Sequence, residues 1–341
     1  KDSDGDGVND DIDKCPDTPN DALVDSDGCQ INLYLDENGV TIKAYDWAVH
    51  GDTGVINDIT YTVVDEGFLR SLINNDGDVS KSVTTKITDM TSLFINNSKF
   101  NQDISSWDVS NVTRMDGLFR NTENFNQDIS NWDVSNVINM TGMFSFSKFN
   151  QDISSWDVIN VEDMSSMFSF SLFNQDISSW DVSNVKNMSA MFSDNIVFNQ
   201  NISSWNVSNV INMSYMFKGT TPGDPLGRLP KLSSFNQDIS SWDVSNVEDM
   251  SFMFNSNSSF NQDVSSWDVS NVQRMKGMFY QSIFNKDIST WNVSKVDDMS
   301  FMFNDNEDFN QDISSWDVGN VLNMEAMFLF AENFNQDLTM W

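Results

Sequence analysis

The residues best suited to chemistry lie at the start of the chain. Asp2, Asp4, Asp6, Val8, Asp10 and Asp13 fall at positions 1, 3, 5, 7, 9 and 12 of a twelve-residue loop, with Gly7 at position 6. A calcium ion takes about six to eight oxygens, and alternate carboxylates, a backbone carbonyl at Val8 and a closing carboxylate at Asp13 would supply them. Asp25 and Asp27 are candidates for a second ion. The only two cysteines, Cys15 and Cys29, bracket that pair, and one disulfide between them suits an oxidising compartment. Position 12 is Asp where Glu is usual, and no long helical pattern flanks the loop, which disfavours an ordinary EF-hand.

Further along, acidic residues recur in rows. Asp108, Asp133, Asp157, Asp181, Asp243, Asp268 and Asp317 each follow a tryptophan, and Asn206 and Asn292 replace them twice. Stacked at a strand spacing of about 4.8 Å, neighbouring carboxylates would repel by about 0.9 kcal/mol in water. Hydrogen bonds from flanking serines such as Ser106 and Ser110 would offset this, as would bound cations or a cationic ligand. A second row, Asp103, Asp128, Asp152, Asp176, Asp238, Asp263, Asp287, Asp312 and Asp337, is expected to accept backbone N–H groups of a turn. Catalytic equipment is sparse: the single histidine, His50, reads as a loop residue, and no nucleophile, zinc or phosphate-loop motif occurs in its required context. The chain reads as non-catalytic.

The element that must position these rows is a repeat. Trp107, Trp132, Trp156, Trp180, Trp205, Trp242, Trp267, Trp291, Trp316 and Trp341 mark a period of 24 or 25 residues, broken once by a step of 37. The unit is FNQDISSWDVSNV followed by xxMxxMF, complete from Phe173 to Phe192 and from Phe235 to Phe254. Ile104, Trp107 and Val109 have the LxxLxL spacing of a leucine-rich-repeat strand, which makes the tryptophans core residues. Val112, Met115, Leu118 and Phe119 have the spacing of one helical face. Each unit is therefore expected to be a short strand plus a short helix or 3₁₀ turn, stacking into an α/β solenoid. The one-residue difference in length lies between the paired phenylalanines, such as Phe144 and Phe149, and marks an exposed turn. Phe146, Phe170 and Tyr280 fall at these turns, where they form an apolar edge or pack on one another.

These repeats resemble the BspA-like leucine-rich repeats of bacterial surface proteins, over about residues 83–341. The resemblance implies an extracellular role in adhesion or recognition. Residues 1–30 resemble a thrombospondin type 3 repeat, which implies bound calcium and a place beside surface domains of Gram-negative bacteria, so an outer-membrane-associated location is expected. Residues 31–82 are expected to form an α+β cap, with hairpins turning at Asp36-Glu37-Asn38-Gly39 and Asn57-Asp58, and a helix capped by Asp65 that carries Phe68, Leu69, Leu72 and Ile73 on one face. An insertion at 218–234, rich in Gly and Pro, places Lys218, Arg228 and Lys231 on an acidic body as a candidate contact site. The start at Lys1 and the stop at Trp341, inside a unit, lead us to expect a fragment.

Against 18 Lys and Arg stand 51 Asp and Glu, a net charge of -33. Such a surface repels nucleic acid and anionic membranes. No apolar run is long enough to span a bilayer. The expected partner is an extracellular protein or a polysaccharide, with a calcium-stiffened stalk as the alternative that needs no ligand.

Overall fold

The computed structural model describes residues 1–20, 22–220 and 233–341. It divides into two compact units, one of Lys1–Thr88 with Asp103–Asn111 and one of Asp89–Gln102 with Val112–Trp341.

In the first unit the expected hairpins form at the expected turns. Strand β1 (Leu33–Leu35) pairs antiparallel with β2 (Ile42–Ala44), and β3 (Thr53–Ile56) with β4 (Ile59–Val63). The second turn holds Asn57 and Asp58 at φ 50° and 62°, the left-handed pair of a two-residue hairpin whose twist matches its strands. A short β5 (Ser82–Val83) runs parallel to β4. Helix α1 (Glu66–Asn74) begins where Asp65 accepts a 2.7 Å hydrogen bond from the Phe68 N–H. Its buried face carries Leu69 and Ile73, whereas Phe68, expected on that face, is exposed. Leu33, Ile42, Ala44, Ala48, Val63 and Val83 form the core. Residues 103–111 join this unit: the Ile42 N–H donates to the Ser106 carbonyl at 2.9 Å, and the Trp107 indole donates to the Val79 carbonyl at 3.1 Å.

In the second unit the repeats stack in sequence order, but not with the expected elements. Single parallel bridges link Asp89, Arg114, Asn139, Asp163, Asn187, Asn212, Asp249, Arg274, Asp298 and Asn323, each to the next. Among the described repeat residues there is neither an extended strand nor a helix. The stretch expected as a strand is two consecutive turns. Asp128 takes the Ser130 N–H at 2.9 Å, then Trp132 N–H bonds the Ile129 carbonyl at 3.1 Å. Asp133 takes the Ser135 N–H at 3.1 Å, then Val137 bonds the Val134 carbonyl at 2.9 Å. Local side-chain acceptors here compete successfully with a strand ladder.

The stretch expected as a helix instead carries the backbone ladder. Met140, Gly142, Phe144 and Phe146 donate to the carbonyls of Asp163, Ser165, Met167 and Ser169 in the next repeat, while Met143, Ser145 and Ser147 donate three residues back. Thr141 N–H goes to the Asn139 side chain at 2.8 Å. Every N–H from Met140 to Ser147 is thus satisfied, as burial demands. Left-handed residues make the zigzag possible, Gly142 at φ 59° and Phe146 at 58° in this repeat. Val137, Met140, Met143 and Phe144 still point inward, so the apolar spacing read as a helical face belongs to a different backbone.

The core is a set of ladders. Phe119, Phe144, Phe168 and Phe192 stack at 5.6 to 5.7 Å, and Trp156 and Trp180 at 6.5 Å. The length-variable turn is exposed, as expected, between Phe119 and Phe125, where only Thr122 is buried, but is largely buried in central repeats such as that from Phe192 to Phe198. In longer repeats Asn195 fills it, donating to the Phe173 carbonyl at 2.9 Å and accepting from the Phe198 N–H at 3.1 Å. In shorter ones Ser147 serves, its hydroxyl 2.8 Å from the Phe144 carbonyl. An added residue is tolerated there because either side chain accepts from the N–H of the phenylalanine that follows, Phe149 for Ser147 and Phe198 for Asn195. The long step leaves the ladder in register, since Asn212 bridges Asp249 directly.

Candidate functional site

At the N-terminus the loop gathers the carboxylates of Asp2, Asp4 and Asp6, which present oxygens within 4.8 Å of one another. Backbone donors hold them there. Gly5 and Gly7 N–H groups bond Asp2 at 2.7 and 3.1 Å, Val8 N–H bonds Asp6 at 2.8 Å, and Thr18 N–H bonds Asp4 at 2.9 Å. Asp6 Oδ2 is sealed from solvent with no hydrogen-bond partner, an arrangement that a cation would relieve and that otherwise costs free energy. Asp10 is turned aside, accepting from both the N–H and hydroxyl of Ser3 at 2.7 and 2.8 Å. That hydroxyl in particular, with Lys1 nearby, holds the Asp10 carboxyl below its ordinary value. Asp13 accepts from Cys15 N–H at 2.7 Å. Gly28 must be glycine, because its φ is +79° and a Cβ there would run into the Asp13 carboxylate.

Cys15 and Cys29 form the expected disulfide, with Cα atoms 5.0 Å apart. Asp25 serves the second half of this loop, accepting from Asp27 and Cys29 N–H groups at 2.9 and 3.1 Å. Asp27 pairs with Lys14 at 2.7 Å. Neither carboxylate joins the cluster of three.

The row after the tryptophans closes turns. Asp133, Asp181, Asp243 and Asp268 each accept the N–H of the serine two residues on, at 3.0 to 3.1 Å, as Asp157 and Asp317 accept from Ile159 and Gly319. Asp108 closes the same turn, accepting from Ser110 N–H at 3.1 Å, but departs from its row in burial: it is 2% exposed in the first unit, with Oδ2 unpartnered. The earlier row does the same work. In Asp152, Asp176, Asp263 and Asp312 the N–H of the following serine, backed by its hydroxyl, holds the carboxyl below the ordinary aspartate range. A third set, missed in the sequence, sits at the bridge positions, where Asn139, Asp163, Asn187 and Asp249 cap the next turn in the same way. The signal was present as an Asp or Asn two residues before Ser or Thr.

The remaining polar letters of the unit tie repeats together. Gln151 and Ser155 donate to the Asn126 and Ser130 carbonyls at 3.0 and 2.7 Å, and Asn160 to the Ser135 carbonyl at 2.7 Å. Trp180, buried as expected, donates its indole N–H to the Ile153 carbonyl at 3.0 Å. Lys218 is drawn into the second unit by Asp194 at 3.0 Å. Arg228 and Lys231 lie outside the described residues. His50 lies in a loop, its ring 4.9 Å from Phe68.

Among the described residues no helix is long and apolar enough to cross a membrane. No curated protein and no solved structure matches the chain. The family model described as "Mycoplasma protein of unknown function, DUF285" matches residues 65–171, 145–222, 229–283 and 281–341. These stretches take in the tryptophan-marked repeats apart from residues 223–228, and more than half of the sequence, and the chain belongs to that family.

Proposed function

We propose that this chain is a non-catalytic, extracellular recognition protein of a cell surface, a solenoid of BspA-like repeats preceded by a calcium-binding segment. The observation that carries this reading is the use made of the repeated polar residues. Nearly every letter of FNQDISSWDVSNV closes a turn or bonds the neighbouring repeat, so the conserved pattern along this one chain serves a scaffold. A scaffold of near-identical stacked units presents its surface again and again, which suits multivalent attachment to a matrix protein or polymer.

The likeness of residues 1–30 to a thrombospondin type 3 repeat supports calcium there, as does the sealed, unpartnered Asp6 Oδ2. Asp2, Asp4 and Asp6 would hold the ion, with Val8 offering its carbonyl, and the bound charge would quiet the repulsion among these carboxylates. The disulfide supports an oxidising, extracellular setting.

The test is a binding screen of the chain against extracellular-matrix proteins and glycans, in calcium and again in chelator, beside a calorimetric calcium titration. Expected are saturable binding to at least one array component and calcium uptake that Asp4→Asn with Asp6→Asn abolishes. No binding in either buffer would overturn the recognition role, and no calcium uptake would overturn the metal.

A further inference from the structure

The second unit carries a groove of about 540 Å³ that runs across successive repeats on the side of the left-handed residues. Its floor is made once per repeat by Ser92, Gly117, Gly142, Ser166 and Ala190, all at φ between 54° and 64°. The same position is Tyr215 in the next repeat and Phe252 after that, with the two rings stacked at 5.0 Å. The groove therefore exists because five consecutive repeats place a small residue where the next two place a ring. Beside the floor Phe146 and Phe170 stack at 4.4 Å and 7°, which settles the sequence-level alternatives for these two in favour of packing on one another.

A row of small residues is not by itself a binding site, but the hydroxyls beside it add a second observation. Ser145 and Ser169 are 3% and 5% exposed and line the groove. Their hydroxyls take no hydrogen-bond partner among the described residues, although Ser147 and Ser171, two residues on in each case, bond the Phe144 and Phe168 carbonyls at 2.8 Å. Neither oxygen is among the buried polar atoms cut off from solvent, so each hydroxyl of these otherwise buried residues opens into the groove, where a ligand with its own donors and acceptors can bond it.

Charge narrows the ligand. The chain has 51 acidic residues against 18 basic ones, yet the groove is lined by Asp116 and Asp194 on one side of the balance and Arg120 and Lys218 on the other. Asp194 is held by Lys218 at 3.0 Å and by the Ser193 hydroxyl at 2.8 Å, and Asp116 by Arg114 at 2.9 Å. On a strongly anionic protein this strip is balanced, which favours a neutral ligand over a cationic one. Rows recurring at about the strand spacing of 4.8 Å match a polymer advancing roughly one pyranose ring per repeat, whereas an extended peptide rises about 3.4 Å per residue with alternating side chains. Aromatic rings set beside hydroxyls suit the apolar face and polar rim of a sugar ring.

We propose that this groove binds a neutral, linear oligosaccharide along its small-residue floor, against Phe146 and Phe170, with Ser145 and Ser169 as hydrogen-bonding partners. The proposal rests on the recognition reading above and names a ligand class and a site for it. The test is calorimetry of the full chain with cello-, chito- and xylo-oligosaccharides from dimer to hexamer, using wild type and Ser166→Phe. Phe252 and Phe301 hold the same backbone conformation at φ 57° and 60°, so the added ring fills the groove without demanding a new fold. We expect affinity that rises with chain length and falls at least about tenfold in Ser166→Phe, equivalent to about 1.4 kcal/mol. Absence of binding across all three series, equal affinity of the variant, or displacement of the sugar by an extended peptide would overturn the proposal. If wild type and variant both bind a matrix protein while no sugar binds, the groove proposal falls and the recognition reading stands. If wild type binds nothing, both fall.

Discussion

Replacing Gly277 with alanine tests the stacking register where it is tightest. Gly277 sits at φ 54°, and a Cβ built on it would lie 2.4 Å from Cε1 of Phe252 in the preceding repeat. Gly142 occupies the equivalent position at φ 59°, but there the nearest atom to a new Cβ is Cβ of Ser145 at 3.9 Å. Both substitutions bring the left-handed strain of a non-glycine residue, about 1 kcal/mol. Only Gly277→Ala adds overpacking, about 1 to 3 kcal/mol for a ring that must move. Phe252 is half-buried and stacked on Tyr215, so its escape is restricted. We expect Gly142→Ala to cost about 1 kcal/mol and Gly277→Ala about 2 to 4 kcal/mol. Pairing Gly277→Ala with Phe252→Ala should recover the difference, a coupling that a double-mutant cycle isolates. The assay is urea denaturation followed by far-ultraviolet circular dichroism, with tryptophan fluorescence as a check on concerted unfolding. Equal costs for the two glycines, or additive effects in the pair, would mean that Phe252 does not lie over Gly277 and that the register is wrong.

Two further perturbations probe the turns and the core. Trp180→Phe removes an indole bond of 3.0 Å to the Ile153 carbonyl and leaves a void beside Trp156, which together should cost about 2 to 3 kcal/mol; Asn184→Ala, which loses one bond of 2.8 Å to the Ile159 carbonyl at the surface, should cost about 1 kcal/mol or less. Matching midpoints for these two in denaturant would refute the assignment of Trp180 to the core. The Asp176 carboxyl titrates lower when folded than when unfolded, because Ser178 donates to its charged form, so its contribution to stability is complete above the unfolded value of about 3.9 and disappears as pH falls through the lower folded value. Asp176→Asn keeps the turn but cannot ionise. Its stability deficit against wild type should be constant from neutral pH to about pH 5 and vanish in stronger acid, as denaturation midpoints across that range will show.

Much of the core was legible because the repeat wrote it many times over. Trp, Met and Phe at fixed spacing could only be interior, and the turn signals Asn57-Asp58 and Asp65 have unambiguous local chemistry. The backbone of the repeat was not legible. Spacing of three and four residues announces a helical face, yet Val137, Met140, Met143 and Phe144 meet it on a chain that alternates right- and left-handed residues. Nothing local betrays this, since Phe146, Phe170 and Tyr215 are residues that rarely adopt positive φ. The inter-repeat hydrogen bonds impose that conformation, and they exist only once a neighbour is in place. The same lesson holds for Asp108, whose row is exposed elsewhere: the cap's hairpin, which reaches Ser106 through Ile42, cannot be read from the repeat itself. The N-terminal acidic cluster was legible in part, as Asp2, Asp4 and Asp6 converge while Asp10 is taken by Ser3.

The bridge from Asn212 to Asp249 spans the long step as directly as any other bridge spans a short one. The joints between repeats share one backbone bridge, so a gene encoding them can lose or duplicate a unit by unequal recombination and still specify a paired backbone at the new junction. Repeats this alike in sequence favour such slippage, and the shared backbone bridge makes its products foldable. Related strains would then be expected to differ in the number of units before they differ in the residues of any one of them.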